Sequence, residues 1–366
     1  MPSELRYSTQ QIGIGDVEAV IDALWSPWLT QGPTVERFEE ALAEYVGAKY
    51  AVAVNSGTAA LHVAMAAAGM QDGNTAITSP LSFVATANAA LMCGIGDGLH
   101  FMDVDAATGN IGPPLGVGRS CDFVVPVHFA GRAAQIQTDR HQIAIIEDAC
   151  HALGAVDFDG CSRVGSCAHS MATCFSFHPV KPITTGEGGA VTTNDEGLRD
   201  EMRLLRSHGR DASGLMVKMG YNYRMTEMAA ALGLSQLKRC SDMRKIRRDF
   251  ACEYGVRLAG VRGVETFDPR PYATLDHHSW HLFPVRIKNG RRDEVKAKLN
   301  EQGIGAQVHY SPIIPLQPYY RDRFWYEPGT WPNAEAWAAE ELSLPLHAGM
   351  TEADVERVVV ALKEAL

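Results

Sequence analysis

The stretch Tyr50-Ala-Val-Ala-Val-Asn-Ser-Gly-Thr-Ala-Ala-Leu61 reads as an apolar strand, a turn of small polar residues and the opening of an alanine-rich helix. A strand without polar alternation is covered on both faces, and a helix directly after it marks a β-α unit of a parallel sheet. The unit recurs. Apolar runs at Thr75–Thr78, Leu99–Val104, Phe123–Val127, Ile143–Ile146, Met171–Phe177 and Ala190–Thr193 are separated by turns and by helical stretches such as Thr58–Gly69 and Phe83–Met92. This alternation predicts a largely parallel α/β sheet filling most of residues 50–235. Two windows inside it, 51–70 and 76–96, carry no Asp, Glu, Lys or Arg. Their Asn, Ser, Thr, Gly and Pro residues mark them as buried strand-turn-helix units, not membrane spans.

Outside the sheet, amphipathic helices are expected at Asp16–Trp25 and at Val35–Val46, the second capped by Thr34 and ended by Gly47. Downstream the pattern predicts helices over Thr226–Arg239 and on to about Leu258, a strand at Trp280–Ile287, a helix over Arg291–Gln302 stopped by Gly303, and a last helix opening at Thr351 with Asp354 three residues on. The expected division is a large α/β domain with its N-terminal helices at 1–245 and a small α+β domain at 246–366.

The chain has 366 residues, 46% of them hydrophobic, with 33 Lys plus Arg against 43 Asp plus Glu and a formal net charge of −10. That is a folding composition, and its acidic balance argues against nucleic acid or an anionic membrane as partner. Eight cysteines, none spaced Cys-x-x-Cys, read as reduced thiols. The start, Met1-Pro2-Ser3-Glu4-Leu5-Arg6, lacks the basic and apolar segments of a secretory signal, so a cytoplasmic location is expected.

Three segments carry chemistry. In Cys174-Phe-Ser-Phe-His-Pro-Val-Lys-Pro-Ile-Thr-Thr-Gly-Glu-Gly-Gly-Ala190, Lys181 stands between Pro179 and Pro182, after an apolar strand and before a glycine cluster. A rigid, desolvated surround lowers a lysine's pKa and frees its amine to attack a carbonyl. In Ile143-Ala-Ile-Ile-Glu-Asp-Ala-Cys-His151 an apolar strand ends in carboxylates, which puts Asp148 at the ligand-binding edge of an α/β sheet. A buried aspartate needs a cationic partner, which a protonated pyridine nitrogen supplies. His151 lies over or beside such a ring, or is a satisfied core histidine. Ser56, Gly57 and Thr58 open a helix whose N–H groups can hold a phosphate, and plain helix capping explains them equally well. Pyridoxal phosphate is the common cofactor that asks for all three elements together.

The strings Leu29-Thr-Gln-Gly32, Asn55-Ser-Gly-Thr-Ala-Ala60, Ser82-Phe-Val-Ala-Thr86, Glu147-Asp-Ala-Cys-His-Ala-Leu-Gly154, Ser176-Phe-His-Pro-Val-Lys-Pro-Ile-Thr-Thr-Gly-Glu-Gly-Gly189, Arg206-Ser-His-Gly209 and Gly220-Tyr-Asn-Tyr-Arg224 run through almost the whole chain. With them the sequence resembles the DegT/DnrJ/StrS family of sugar aminotransferases. The resemblance implies the fold type I architecture of pyridoxal phosphate-dependent transferases, with a mostly parallel seven-stranded sheet. It implies that Lys181 is the Schiff-base lysine and proton shuttle, that Asp148 binds the pyridinium, that His151 meets the ring oxygen and that Phe83 stacks on the ring. Ser56, Gly57, Thr58 and Ser176 would hold the phosphate, completed by Asn222 from the neighbouring subunit of a homodimer. Within the family the likeness is to the branch that aminates C4 of a UDP-linked 4-keto-6-deoxy-N-acetyl-hexosamine for pseudaminic acid, with L-glutamate as donor. By that likeness Tyr7, Trp28, Leu29, Thr30, His309 and Tyr310 line the sugar-nucleotide pocket.

Two departures stand out. The Gly/Pro-rich segment between Asp105 and Cys121 is short where relatives place a helix, and Cys150 replaces a small residue close enough to the ring for its oxidation to matter. Other readings are weaker. Relatives that dehydrate sugars carry histidine in place of Lys181, a non-catalytic cofactor-binding protein would not need every catalytic position filled, and no ligand spacing supports zinc on His151, His169 and His178.

Overall fold

All seven apolar runs form strands of one sheet in the computed structural model, which describes residues 4–111, 121–135, 143–266 and 277–366. Two helices, α1 (Ile14–Trp25) and α2 (Pro33–Val46), precede β1 (Tyr50–Val54), α3 (Gly57–Ala67), β2 (Ala76–Thr78), α4 (Ala85–Met92), β3 (Leu99–Phe101), β4 (Phe123–Val125), β5 (Ala144–Asp148), β6 (Ala172–Ser176), β7 (Gly189–Thr193) and α5 (Glu196–Arg206). The sheet order is β1-β7-β6-β5-β4-β2-β3, and the expected mostly parallel seven-stranded α/β sheet is the one found.

One strand runs against the rest. β7 pairs antiparallel with both β6 and β1, whereas β6, β5, β4, β2 and β3 pair in parallel. Parallel pairing needs a crossover, and residues 177–188 between β6 and β7 contain no helix to provide one, so the chain turns back directly. Since β1 is antiparallel to β7, it points the same way as β6. The carboxyl ends of β1, β2, β5 and β6 therefore share one edge.

Successive residues along β1 serve opposite faces, as a pleated strand requires. Val52 and Val54 pack with Leu61, Met65 and Ile146 under α3, and Ala51 and Ala53 pack with Phe38, Leu42 and Val46 of α2. A second core gathers around the antiparallel sheet β8 (Val264–Thr266), β9 (Phe283–Ile287) and β10 (Glu341–Leu344), covered by α7 (Cys240–Leu258), α8 (Arg292–Glu301) and α11 (Glu352–Ala365). The intervening helices are α6 (Glu227–Leu237), α9 (Pro318–Phe324) and α10 (Pro332–Glu340). The 245/246 division falls inside α7. Cys240 and Met243 join the α2 core, while Ala251, Tyr254 and Leu258 join the second core.

The last helix opens with the expected capping box of Thr351 and Asp354, and Gly47 ends α2 in the left-handed region. The cap of α2 differs from the expectation. The N-cap is Gly32, Pro33 takes the first helical position, and Thr34 lies inside the helix. The free N–H groups go to a residue far away in sequence: the buried carboxylate of Glu227 accepts from Gly32 at 3.0 Å, Thr34 at 2.9 Å and Val35 at 3.0 Å. A charge at this end also meets the positive pole of the helix dipole. The Gly/Pro-rich segment between Asp105 and Cys121 falls largely at 112–120, outside the described residues. No helix among the described residues is long and apolar enough to cross a membrane.

Glu227→Ala leaves three helix-end donors without an acceptor and is expected to lower stability by about 2–3 kcal/mol, measured as a fall in the urea midpoint followed by tryptophan fluorescence. An unchanged midpoint would show that water replaces the carboxylate without loss.

Candidate active site

The shared carboxyl edge of the sheet collects most of the residues singled out from the sequence. Asp148 ends β5 and is buried. Its Oδ2 accepts from the Thr86 hydroxyl at 2.6 Å and its Oδ1 from the Cys150 N–H at 3.1 Å. Lys181 lies on the connection from β6 to β7, where its backbone N–H bonds to the His178 carbonyl at 2.9 Å. Its amine makes no ion pair or hydrogen bond among the described residues. Burial lowers its pKa, partly opposed by the nearby Cys150 and Asp148. A surround that favours the uncharged amine, with a carboxylate close by but not in contact, suits it to attack a carbonyl.

His151 follows Asp148 on the same turn and is buried. Burial, with Lys181, His309 and His278 adding to it, pushes its pKa well below the ordinary range, so the ring is neutral. Burial likewise pushes the Tyr310 hydroxyl well up, so that hydroxyl keeps its proton; it lies 3.2 Å from His151 Nε2, donating to it when the ring proton is on Nδ1 and accepting from it otherwise. The other ring nitrogen, Nδ1, is buried without a partner. His281 packs against the ring at 4.3 Å. Phe83 stands 58% exposed, its ring 6.2 Å from that of Tyr310, at the side of a cleft of about 600 Å³ lined also by Ser82, Asn88, Gln317 and Tyr319. An apolar face left open here is a stacking platform. Tyr7 lies 5.7 Å from His309, and the neighbouring Ser8 hydroxyl donates to the Val180 carbonyl at 3.1 Å, which ties the N-terminal segment to the lysine loop.

The turn after β1 forms a second corner of the same edge. Ser56 caps α3, its Oγ accepting from the Ala59 N–H at 3.1 Å, which leaves its own proton free to donate. Gly57 and Thr58 open the helix, where backbone N–H groups have no acceptor one turn back. A Cβ on Gly57 would lie 2.8 Å from the Ser176 Cβ, so the glycine is what lets the turn approach β6. Asn222 lies beside this turn, its carbonyl accepting from Asn55 Nδ2 at 3.2 Å, and is itself exposed.

Trp28, Leu29 and Thr30 are not drawn in. They are exposed on the turn between α1 and α2, where the Leu29 carbonyl accepts from the Glu227 N–H at 3.0 Å and Thr30 bridges Thr226. Nor do His169 and His178 converge on His151. His169 pairs with Asp159 at 3.1 Å, and among the described residues no cluster of three or more His, Cys, Asp or Glu is arranged to hold a metal. Sequence reasoning gave no role to Thr86 and did not single out His281, Ser343 or Glu341. Thr86 had a signal, a hydroxyl four residues after Ser82 on an otherwise alanine-rich helix; the two hydroxyls bond at 2.9 Å.

The chain matches the family described as the DegT/DnrJ/EryC1/StrS aminotransferase family over residues 10–363 and belongs to it. It is 37% identical to the spore coat polysaccharide biosynthesis protein SpsC of Bacillus subtilis, covering 98% of this chain and 96% of that one. It is also 37% identical to the UDP-4-amino-4,6-dideoxy-N-acetyl-beta-L-altrosamine transaminase of Campylobacter jejuni, over 97% and 95% of the two chains. Among solved structures it is similar to Helicobacter pylori PseC, an aminotransferase involved in the biosynthesis of pseudoaminic acid, with a TM-score of 0.90, 32% identity and 99% of each chain covered.

Burial, followed by the Asp148 carboxylate, pushes the Cys150 thiol well up, and burial does the same to Cys174, whereas Cys161 is exposed. A thiol held protonated is a poor nucleophile. Iodoacetamide at pH 7.5 is therefore expected to label Cys161 before Cys150 and Cys174, as read by peptide mapping. Early labelling of Cys150 would contradict this arrangement.

Proposed function

We propose that this chain is a pyridoxal phosphate-dependent aminotransferase of the cytoplasm that moves an amino group from L-glutamate to C4 of a UDP-linked 4-keto-6-deoxy-N-acetyl-hexosamine, a step of pseudaminic acid biosynthesis. The observation that carries the chemistry is the unpaired, half-buried Lys181 beside Asp148 on one edge of the sheet. The similarity to the altrosamine transaminase and to PseC supports the substrate.

The residues fit the cofactor on two points. The buried Nδ1 of His151 has no partner and, in the tautomer whose Nε2 accepts from Tyr310, is a donor suited to a phenolic oxygen, and the open N–H groups of Gly57 and Thr58 beside Ser56 and Ser176 form a phosphate cradle that a side chain on Gly57 would fill. Bound there, pyridoxal phosphate supplies an aldehyde that joins to amines and a protonated ring that draws electron density from the adjoining carbon. Asp148 would hold the proton on the ring nitrogen, with Thr86 and the Cys150 N–H fixing its carboxylate. Phe83 would cover one face of the ring. Lys181, as a neutral amine, would take the proton from the donor carbon at its Nζ and pass it to the cofactor carbon within the same half-reaction, and with the keto sugar it would run the same transfer in reverse. His309 and Tyr310 would border the sugar, with Tyr7 alongside.

A homodimer belongs to the same proposal, with the active sites at the subunit interface and the division at 245/246 separating large and small domains in each copy. Ile14, Val17, Ile21 and Leu24 of α1 and the segment Leu215, Met216, Val217 and Met219 are exposed apolar surface of the kind a second copy covers. Trp28, Leu29, Thr30 and Asn222 lie exposed, and in this reading they reach the neighbouring copy's site. A second reading, amination of another nucleotide-linked keto sugar, draws on the equal 37% identity to the spore coat polysaccharide protein.

Lys181→Ala is expected to cut turnover by a factor on the order of 10³ or more while circular dichroism stays unchanged; retained activity would remove the lysine from its role. Initial rates with glutamate and keto sugar varied together are expected to give parallel double-reciprocal lines, and intersecting lines would exclude a two-stage exchange. A panel of UDP-, GDP- and dTDP-linked 4-keto and 3-keto sugars separates the two substrate readings by their kcat/KM.

A further inference from the structure

Behind His309 runs a short buried chain of polar groups. His309 Nδ1 lies 2.9 Å from Ser343 Oγ, and Ser343 Oγ lies 2.6 Å from Glu341 Oε1. The other carboxyl oxygen of Glu341 accepts from the backbone N–H of His309 at 2.5 Å. Glu341 and Ser343 alternate with Leu342 and Leu344 along β10 and are fully buried. The charged groups facing Glu341 from neighbouring elements are Arg292 and Lys296 of α8 and its cross-strand partner Arg286 of β9, with Tyr310 beside them; Arg292 donates to the Glu341 backbone carbonyl at 3.1 Å, Arg286 pairs with Glu340, and among the described residues none of these cations makes an ion pair with the Glu341 carboxyl. The far nitrogen of His309, Nε2, has no partner among the described residues.

Ser343 has a single proton, so the chain is one-directional. If Glu341 is ionised, Ser343 must donate to it. Ser343 then accepts from Nδ1–H of His309, and Nε2 is left as an acceptor. If Glu341 carries a proton, it donates to Ser343, Ser343 donates to Nδ1, and Nε2 becomes a donor. We propose that Glu341 and Ser343 are positioning residues that set the tautomer of His309, switching its far nitrogen, Nε2, between acceptor and donor. The exchange balances as a proton relay. A proton taken up at Nε2 releases the one on Nδ1 to Ser343 Oγ, whose own proton passes to Glu341 Oε1, and His309 stays neutral throughout. Acceptor and donor forms select different groups of a sugar, the first a hydroxyl or ammonium, the second a carbonyl or phosphate oxygen. This consequence rests on the proposed function; the relay itself does not.

Electrostatics agrees with the geometry. Burial pushes the Glu341 carboxyl up to about 8, and burial with Lys181 and Lys296 pushes His309 down to about 3. His309 is then uncharged from acid to alkaline pH, and the carboxyl changes state near neutrality.

The test is ¹⁵N NMR of the full-length protein labelled at histidine, without substrate, with His309 assigned through His309→Gln. In the wild type the protonated and unprotonated ring-nitrogen resonances of His309 are expected to change places between pH 6 and pH 10. In Glu341→Gln the amide oxygen still accepts from the His309 N–H and the NH₂ donates to Ser343, so His309 is expected to stay in its Nε2–H form throughout. Ser343→Ala is expected to abolish the pH response and serves if Glu341→Gln does not fold. A wild-type tautomer constant over this range, or a transition retained in either variant, overturns the proposal. Loss of aminotransferase activity with the tautomer switch intact would instead count against the proposed function.

Discussion

A half-buried lysine amine with no counter-ion in contact is the constraint on which this site depends. Left to itself, a lysine extends its stem until the ammonium reaches solvent, and burial without a partner is costly enough to shift its proton equilibrium. The loop that prevents the escape is anchored on every side. Ser176 and Gly189 pair at its two ends, the Phe177 carbonyl accepts from Thr185 N–H and Thr184 hydroxyl, and Pro179 and Pro182 restrict the backbone on either side of Lys181. The reversed direction of β7 belongs to the same arrangement, since it brings the far end of the loop back beside its start.

The surroundings keep charge scarce. His151, His278, His281 and His309 are all held neutral chiefly by burial, and Tyr310 keeps its proton for the same reason. A pocket lined with neutral rings leaves the field at Lys181 to a few groups, Cys150 and Asp148 among them. Low local dielectric strengthens these interactions.

Local pattern made much of this legible. The seven strands follow from short apolar runs, and Asp148 and Lys181 from a carboxylate at a strand end and a lysine between prolines. What the sequence hid were relations between distant segments. The cap on α2 comes from Glu227, and no local signal at Thr34 announces it. The direction of β7 depends on the absence of a crossover helix, which a list of strands does not express. Glu-Leu-Ser-Leu in β10 does put Glu341 and Ser343 on one face by simple alternation, yet only the fold brings His309 to them. Trp28, Leu29 and Thr30 show the converse, a readable motif whose surroundings within one chain give it no cleft.

Helix α7 joins the two cores as one unbroken rod, roughly 28 Å long at 1.5 Å per residue, gripped near its start by Cys240 and Met243 and toward its end by Ala251, Tyr254 and Leu258. A rod clamped at both ends transmits tilt and torque instead of bending between them. Displacement of the second core would therefore lever the first, and relative movement would be taken up by sliding along side-chain ridges more than by pivoting at a flexible joint. Mechanical stiffness, set by one continuous helix, thus becomes a property that the two halves share.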